Sequence, residues 1–307
     1  MSKSTLHVPP PSEQVYQAHL PGRYAGFTIE DYFHDRFPYL SREEWCEKIE
    51  AGHITVNGLA VGLGTCLNDH DFIVTRMGMK EEPPADRSVN VLFEDKHIRA
   101  YNKGAPLPIH PSGRYFKNSM TEILKARYPD ETPRPVQRLD ALTTGVVVFA
   151  KSREAARSLM YEFTQDRVRK VYLALVEGCP REKQFTIDAP VGKVKGSARG
   201  VGAHLPHAKP AVTEVQWLAS VQGRSLLRVI PRTGRTNQIR VHLAHVGLPL
   251  VNDPVYGQPA SPEYEFGLHA FRLEFQCLDH PLELEAPWPD HFQPFVDLAD
   301  LKLGGKL

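Results

Sequence analysis

A chain of 307 residues is long enough for two domains with their own cores, and 41% hydrophobic with 24% charged residues is an ordinary globular composition, which argues against a disordered or fibrous protein. The formal net charge of +1 at pH 7 excludes any argument from total charge, so a nucleic-acid reading has to rest on placed residues. Cys46, Cys66, Cys179 and Cys277 are scattered without a CxxC pair, which speaks against a disulfide framework and for reduced thiols.

Met1 to Gly22 is polar and has no basic segment followed by an apolar stretch, so no signal peptide is expected. No run approaches the roughly 20 apolar residues of a membrane span. A soluble, cytoplasmic monomer is expected. Residues 1–26 read as an irregular arm. Phe27 to Phe37 has helical apolar spacing, and Ser41-Arg42-Glu43-Glu44 is a capping box opening a second helix that stops at Gly52. Ile54-Thr55-Val56, Asn57-Gly58 and Leu59-Ala60-Val61 follow in the order of a tight hairpin, and Phe72-Ile73-Val74 gives a further strand. Residues 27–78 therefore form a small αβ domain. Cys46, His53, Cys66 and His70 lie within it, but their spacings differ from the short paired knuckles of structural zinc sites, so no metal is expected.

Residues 79–88, with Glu81-Glu82-Pro83-Pro84, read as a linker, and a larger domain occupies residues 89–307. Its strand candidates are Val91 to Phe93, His97 to Tyr101, Gly145 to Ala150, Val171 to Val176, Val212 to Leu218, Leu226 to Ile230 and Leu268 to Phe275. Helices are expected at Met120 to Tyr128, Arg153 to Thr164 and Asn237 to Val246. Strands outnumber helices and do not alternate with them, which predicts an α+β domain with a mixed sheet. Lys193 to Lys209 reads as a long basic loop, bearing Lys193, Lys195, Arg199, His204, His207 and Lys209, of the kind that tracks phosphates or merely faces solvent.

Between Pro135 and Ser152 the sequence is PVQRLDALTTGVVVFAKS, which places the carboxylate of Asp140 on a loop braced by an apolar strand. Alone, such an aspartate is a turn or cap residue. The stretch, however, resembles the HRLDxxTSG motif of the RluA-type pseudouridine synthases. Four further segments resemble that family in order: FEDKHIRAYNKG from Phe93, IHPSG from Ile109, KVYLALVEG from Lys170, and PRTGRTNQIRVHLAHVGLPLVNDPVYG from Pro231. In the small domain, IEAGHITVNG from Ile49 resembles the S4 RNA-binding module.

The resemblance implies a mainly antiparallel pseudouridine synthase fold and isomerisation of uridine in RNA without a cofactor. It implies Asp140 as the catalytic carboxylate, Tyr172 against the base, and Arg240 as partner of the aspartate. Arg138 is implied to lie near the flipped nucleotide, and Thr143, Thr144, His110, Arg235, Gln238 and, from the basic loop, Lys209 are further candidates to contact the RNA. The chemistry is consistent with these residue types. Burial alone disfavours a charged carboxylate and an adjacent guanidinium favours it. An aromatic face holds a turning base without fixing its edge. A stacked uridine cannot reach a sheltered aspartate unless it is extruded, and Arg138 is placed to fill the vacated stack or to bind a phosphate. Thr236 is a candidate cap for the helix carrying Arg240.

Gln137, Thr144, Gly104 and Asn237 depart from the family's usual histidine, serine, proline and histidine. Two other readings remain: an RNA-binding or ribosome-assembly protein without activity, and a hydrolytic nucleosidase, which needs a second carboxylate such as Asp253. The S4-like segment favours ribosomal RNA over transfer RNA as the substrate.

Overall fold

A computed structural model of the chain describes residues 6–196, 198–258, 265–278, 280–296 and 298. They fall into two compact units, Pro9–Pro83 and a larger one that takes in Pro84 onward together with the short segment ending at Val8. The first five residues of the expected arm and the last nine of the span 89–307 lie outside the described residues.

In Pro9–Pro83, strands β1 (Ser12–His19), β2 (Ile54–Val56), β3 (Leu59–Ala60) and β4 (Phe72–Lys80) form a sheet in the order β1-β4-β2-β3. Helices α1 (Ile29–Arg36) and α2 (Arg42–Glu50) bury Ile29, Tyr32, Phe33, Trp45 and Ile49 in a common cluster with Ile54 and Ile73. The capping box is formed, with Ser41 accepting from the Glu44 backbone and Glu44 answering on the Ser41 N–H. Asn57 and Gly58 have φ of 52° and 82°, the left-handed pair that a two-residue hairpin requires.

Residues 12–19 are not an irregular arm. They pair with β4 from Ser12↔Lys80 to His19↔Phe72, and β4 itself runs into the stretch read as linker. β1 lies at the sheet edge and buries only Gln14, so its sequence carries no apolar alternation to betray it.

In the larger unit the elements are β5 (Val89–Glu94), β6 (Ile98–Lys103), α3 (Met120–Arg127), β7 (Arg134–Pro135), β8 (Thr144–Ala150), α4 (Arg153–Thr164), β9 (Arg169–Glu177), β10 (Gln184–Asp188), β11 (Val191–Lys193), β12 (Arg199–Val201), β13 (Val212–Val221), β14 (Arg224–Pro231), α5 (Gln238–His245), β15 (Leu268–Cys277) and β16 (His280–Glu285). One sheet runs β10-β13-β14-β9-β15-β8-β6-β5, with β16 beside β15 and β7 beside β8. Its described pairs are antiparallel except β8 with β15, which gives the expected α+β class with a mixed, mainly antiparallel sheet. The basic stretch after Val191 is not a plain loop, because β11 and β12 pair within it from Val191↔Val201 to Lys193↔Arg199.

Alternation along the central strands divides the core. Val146 and Val148 join Ala155 and Leu159 of α4 on one face of β8, while Val147 and Phe149 meet Met120 and Leu124 of α3 on the other. On β9, Ala174 and Val176 pack under Ile239 and Leu243 of α5, and Leu173 and Leu175 join Phe292 on the far side. Gly145 has φ of 109°, and a Cβ there would run into the backbone of Ala270, so glycine is what lets β8 and β15 approach as a parallel pair. That approach fixes the loop before β8, which carries Asp140.

Candidate active site

Asp140 sits in the turn between β7 and β8, closed by the Thr143 N–H donating to the Asp140 carbonyl at 3.1 Å. The next residue anchors the turn from below: the Ala141 carbonyl accepts from the Leu107 N–H at 2.8 Å and from Nζ of Lys103 at 3.1 Å. Lys103 is fully buried and donates as well to the carbonyls of Gly104 and Leu107, at 2.9 and 2.8 Å. Burial pushes its amine down to about 7 against the opposing pull of Asp140 and Asp86. Gly104 explains one departure from the family pattern, since a Cβ at this position would occupy the place of the Asp86 carboxylate.

Arg240 rides on α5, and Nη1 of its guanidinium donates to Oδ2 of Asp140 at 2.9 Å. Its other edge is held by Asp253, with Nε to Oδ2 and Nη2 to Oδ1 both at 2.8 Å. The Asp253 side chain is 0% exposed and that of Arg240 9%, whereas that of Asp140 is 37% exposed. The catalytic candidate is thus an open carboxylate rather than the enclosed one the sequence reading expected, and the buried charges belong to the pair behind it. Burial works against the charged guanidinium, but the carboxylates of Asp253 and Asp140 outweigh it and raise its affinity for the proton. The rings of Tyr256 and Phe266 lie 5.2 and 5.5 Å from the guanidinium carbon.

Tyr172 is on β9, partly buried against the cluster that also receives Ile239 and Leu243 of α5 and Leu142 from the Asp140 turn. Burial, and then the negative charge of Asp140, push its phenol up from the ordinary tyrosine value. Asp140, Tyr172 and Arg240 therefore come together from three elements separated by up to 100 residues.

The residues expected to contact RNA divide into two groups. Arg138, His110 and Lys209 are exposed, and the Arg138 guanidinium has no acceptor among the described residues. The imidazole of His110 is lowered by desolvation first and then by the positive charges of Arg138 and Lys125, which sets Arg138 beside it at the rim. The others are engaged within the protein. Gln238 is buried, donating to the Val212 carbonyl and Thr213 Oγ1 and accepting from Thr233 Oγ1 and the Arg235 N–H, so its amide is spent on bracing the loop before α5. Thr143 is 2% exposed inside the turn. The hydroxyl of Thr144 is bonded to Nδ1 of His269 at 2.8 Å, and Nε of Arg235 donates to the Pro210 carbonyl at 3.0 Å. A short polar residue next to a motif aspartate looks like a ligand in sequence, and here is a structural strut.

Thr236 does not cap α5. The N-cap is Asn237, in a left-handed conformation with φ of 56° and no side-chain cap bond. Asparagine tolerates that conformation, and its side chain is used elsewhere, accepting from Nη1 of Arg240 at 3.3 Å and donating to the Tyr256 hydroxyl at 3.2 Å. Sequence reasoning missed Asp253, Lys103 and Tyr256 as parts of this assembly. Among the described residues no group of three or more His, Cys, Asp or Glu is arranged to hold a metal ion, and no helix is long and apolar enough to cross a membrane.

The family model of RNA pseudouridylate synthase matches residues 97–245, a span that contains both Asp140 and Arg240. An uncharacterized RNA pseudouridine synthase of Synechocystis is 30% identical over 271 residues, covering 84% of this chain and 93% of that protein. The ribosomal large subunit pseudouridine synthase D of Pseudomonas aeruginosa is 31% identical over 298 residues, with 90% and 92% covered. Among solved structures, human RNA pseudouridylate synthase domain containing 1 aligns with a TM-score of 0.59 and 27% identity, over 69% of this chain and 88% of that one. With the aspartate turn, the tyrosine strand and the arginine helix all falling in the matched segments, the chain belongs to the RluA-type family of RNA pseudouridine synthases, isomerases that convert uridine in RNA to pseudouridine.

Proposed function

We propose that Asp140 is the carboxylate that acts on an everted uridine, with Tyr172 against the base and Arg240 supplying the counter-charge. The observation that carries this reading is the 2.9 Å contact of Asp140 with a guanidinium whose other edge is fixed by a buried carboxylate. In the reaction the C1′–N1 bond breaks, the uracil turns, C5 joins the same sugar carbon and the C5 hydrogen leaves as a proton. Atoms and electrons balance without an oxidant or a reductant. Attack at C1′, attack at C6 and proton removal at C2′ all use the same ionised carboxylate, whose side chain is 37% exposed to an incoming nucleotide.

Arg138, exposed at the rim, fills the stack that the uridine leaves or takes a neighbouring phosphate. The Pro9–Pro83 unit acts as an S4-like RNA-binding domain, and the substrate is ribosomal RNA in the cytoplasm; the ribosomal synthase of Pseudomonas aeruginosa, similar along nearly its whole length, supports that choice. Asp253, the second carboxylate a nucleosidase would need, is buried and held by Arg240 rather than open beside Asp140, which weakens the nucleosidase reading.

Asp140→Asn tests the assignment. Release of tritium from C5-labelled uridine in RNA is expected to vanish in the variant, while RNA affinity stays within about threefold because phosphate contacts dominate binding. Turnover at the parental rate overturns the role of Asp140. Mapping of pseudouridines in cellular RNA with and without the protein tests the substrate, and a lost site in transfer RNA alone overturns the ribosomal assignment.

A further inference from the structure

The carboxylate that holds Arg240 also shapes the chain that follows it. Oδ1 of Asp253 accepts the backbone N–H groups of Val255 and Tyr256 at 2.9 and 3.1 Å, turning the segment so that the Tyr256 ring comes back to the Arg240 guanidinium. The ring is wedged against Val191, Val201, Ala211 and Val241. Its hydroxyl oxygen accepts two donors from different elements: the backbone N–H of Arg199 in β12 at 2.7 Å, and Nδ2 of Asn237, the first residue of the α5 turn, at 3.2 Å. Asn237 closes the circuit, because its Oδ1 accepts from Nη1 of Arg240, the nitrogen that also donates to Asp140.

One phenol oxygen therefore bridges the β11–β12 hairpin and the helix that presents the guanidinium. The hairpin carries Lys193, Lys195 and Arg199, and the exposed Lys209 follows it. Phosphates held on that surface would pull on a strand whose backbone is fastened, through Tyr256 and Asn237, to the cation beside Asp140. We infer that Tyr256 is a positioning residue that couples RNA held on the β11–β12 hairpin to the placement of Arg240 against Asp140; the inference rests on the catalytic reading above.

Tyr256→Phe keeps the ring and its packing and removes only the hydroxyl, and a double-mutant cycle with Lys193→Ala separates coupling from local damage. The readouts are the single-turnover rate of C5 tritium release at saturating RNA and the dissociation constant of the RNA, with thermal melting as the check on folding. Tyr256→Phe is expected to slow the rate about tenfold while leaving affinity within about threefold, the size of an ordinary coupling between sites. Lys193→Ala lowers both rate and affinity in the parent, and in the Tyr256→Phe background it lowers affinity alone. A rate unchanged by Tyr256→Phe, or rate losses that multiply in the double variant, overturns the coupling. A parent that releases no tritium overturns the catalytic reading and this inference with it, and is distinguished from loss of coupling alone by the parental rate itself.

Discussion

Asp253 grips Nε and Nη2 of Arg240 and leaves Nη1 as the only corner of the guanidinium directed at Asp140. The arrangement uses the fork of arginine in full: two parallel bonds fix its plane, and the third nitrogen is delivered to a set position. The buried carboxylate thus orients a cation that serves the exposed one.

Asp253→Asn is expected to lower the rate of pseudouridine formation about 100-fold and to cost about 3 kcal/mol of stability, since one partner of a buried ion pair is lost and the guanidinium stays. Chemical denaturation and tritium release measure the two effects. A variant as stable and as fast as the parent would show that Arg240 holds its place without Asp253.

Lys103 predicts a dependence of stability on pH. Its amine is pushed down to about 7 in the folded protein, below the ordinary lysine value near 10.4. Between those values the unfolded chain binds the extra proton, so stability contributed at this site rises with pH and is lowest below pH 7. The stability of the parent relative to Lys103→Met is therefore expected to increase from pH 7 to pH 9.5. Urea unfolding at the two pH values checks this, and an unchanged gap refutes it. Loss of the bond to the Ala141 carbonyl should also loosen the Asp140 turn and slow turnover about tenfold, on the scale of one buried hydrogen bond.

Gly145→Ala puts a methyl group into the backbone of Ala270 and a side chain at φ of 109°. Destabilisation of about 3 kcal/mol or more is expected, because strain and overpacking act together at one position. Differential scanning calorimetry reads the loss directly, and a melting temperature within a degree of the parent would mean that β8 and β15 can separate at little cost.

Features governed by neighbouring residues were legible from the sequence. Ser41 and Glu44 announced their capping box and Asn57-Gly58 its hairpin, because the interactions involved span two to four residues. The pairing of Asp140 with Arg240 followed from the family motifs, and nothing local to either residue implies it. What escaped depended on three-dimensional surroundings. In sequence Asp253 is only an available second carboxylate in an Asn-Asp-Pro loop, and the fold alone reveals that a guanidinium lies opposite. Gln238 looks like a ligand beside the arginine, but its amide is consumed by Thr213, Thr233 and two backbone groups. β1 gave no signal because an edge strand needs backbone pairing more than apolar side chains.

His7 and Ala85 exchange both of their backbone hydrogen bonds, at 2.8 and 3.0 Å, just outside the two ends of Pro9–Pro83. The smaller unit is therefore an insertion whose exit and re-entry lie one strand spacing apart on the larger one. A short bridge from residue 8 to residue 84 would excise it without opening the enzyme's own scaffold. The same junction gives evolution a single seam at which the smaller unit can be swapped, dropped or acquired while the larger one is inherited intact.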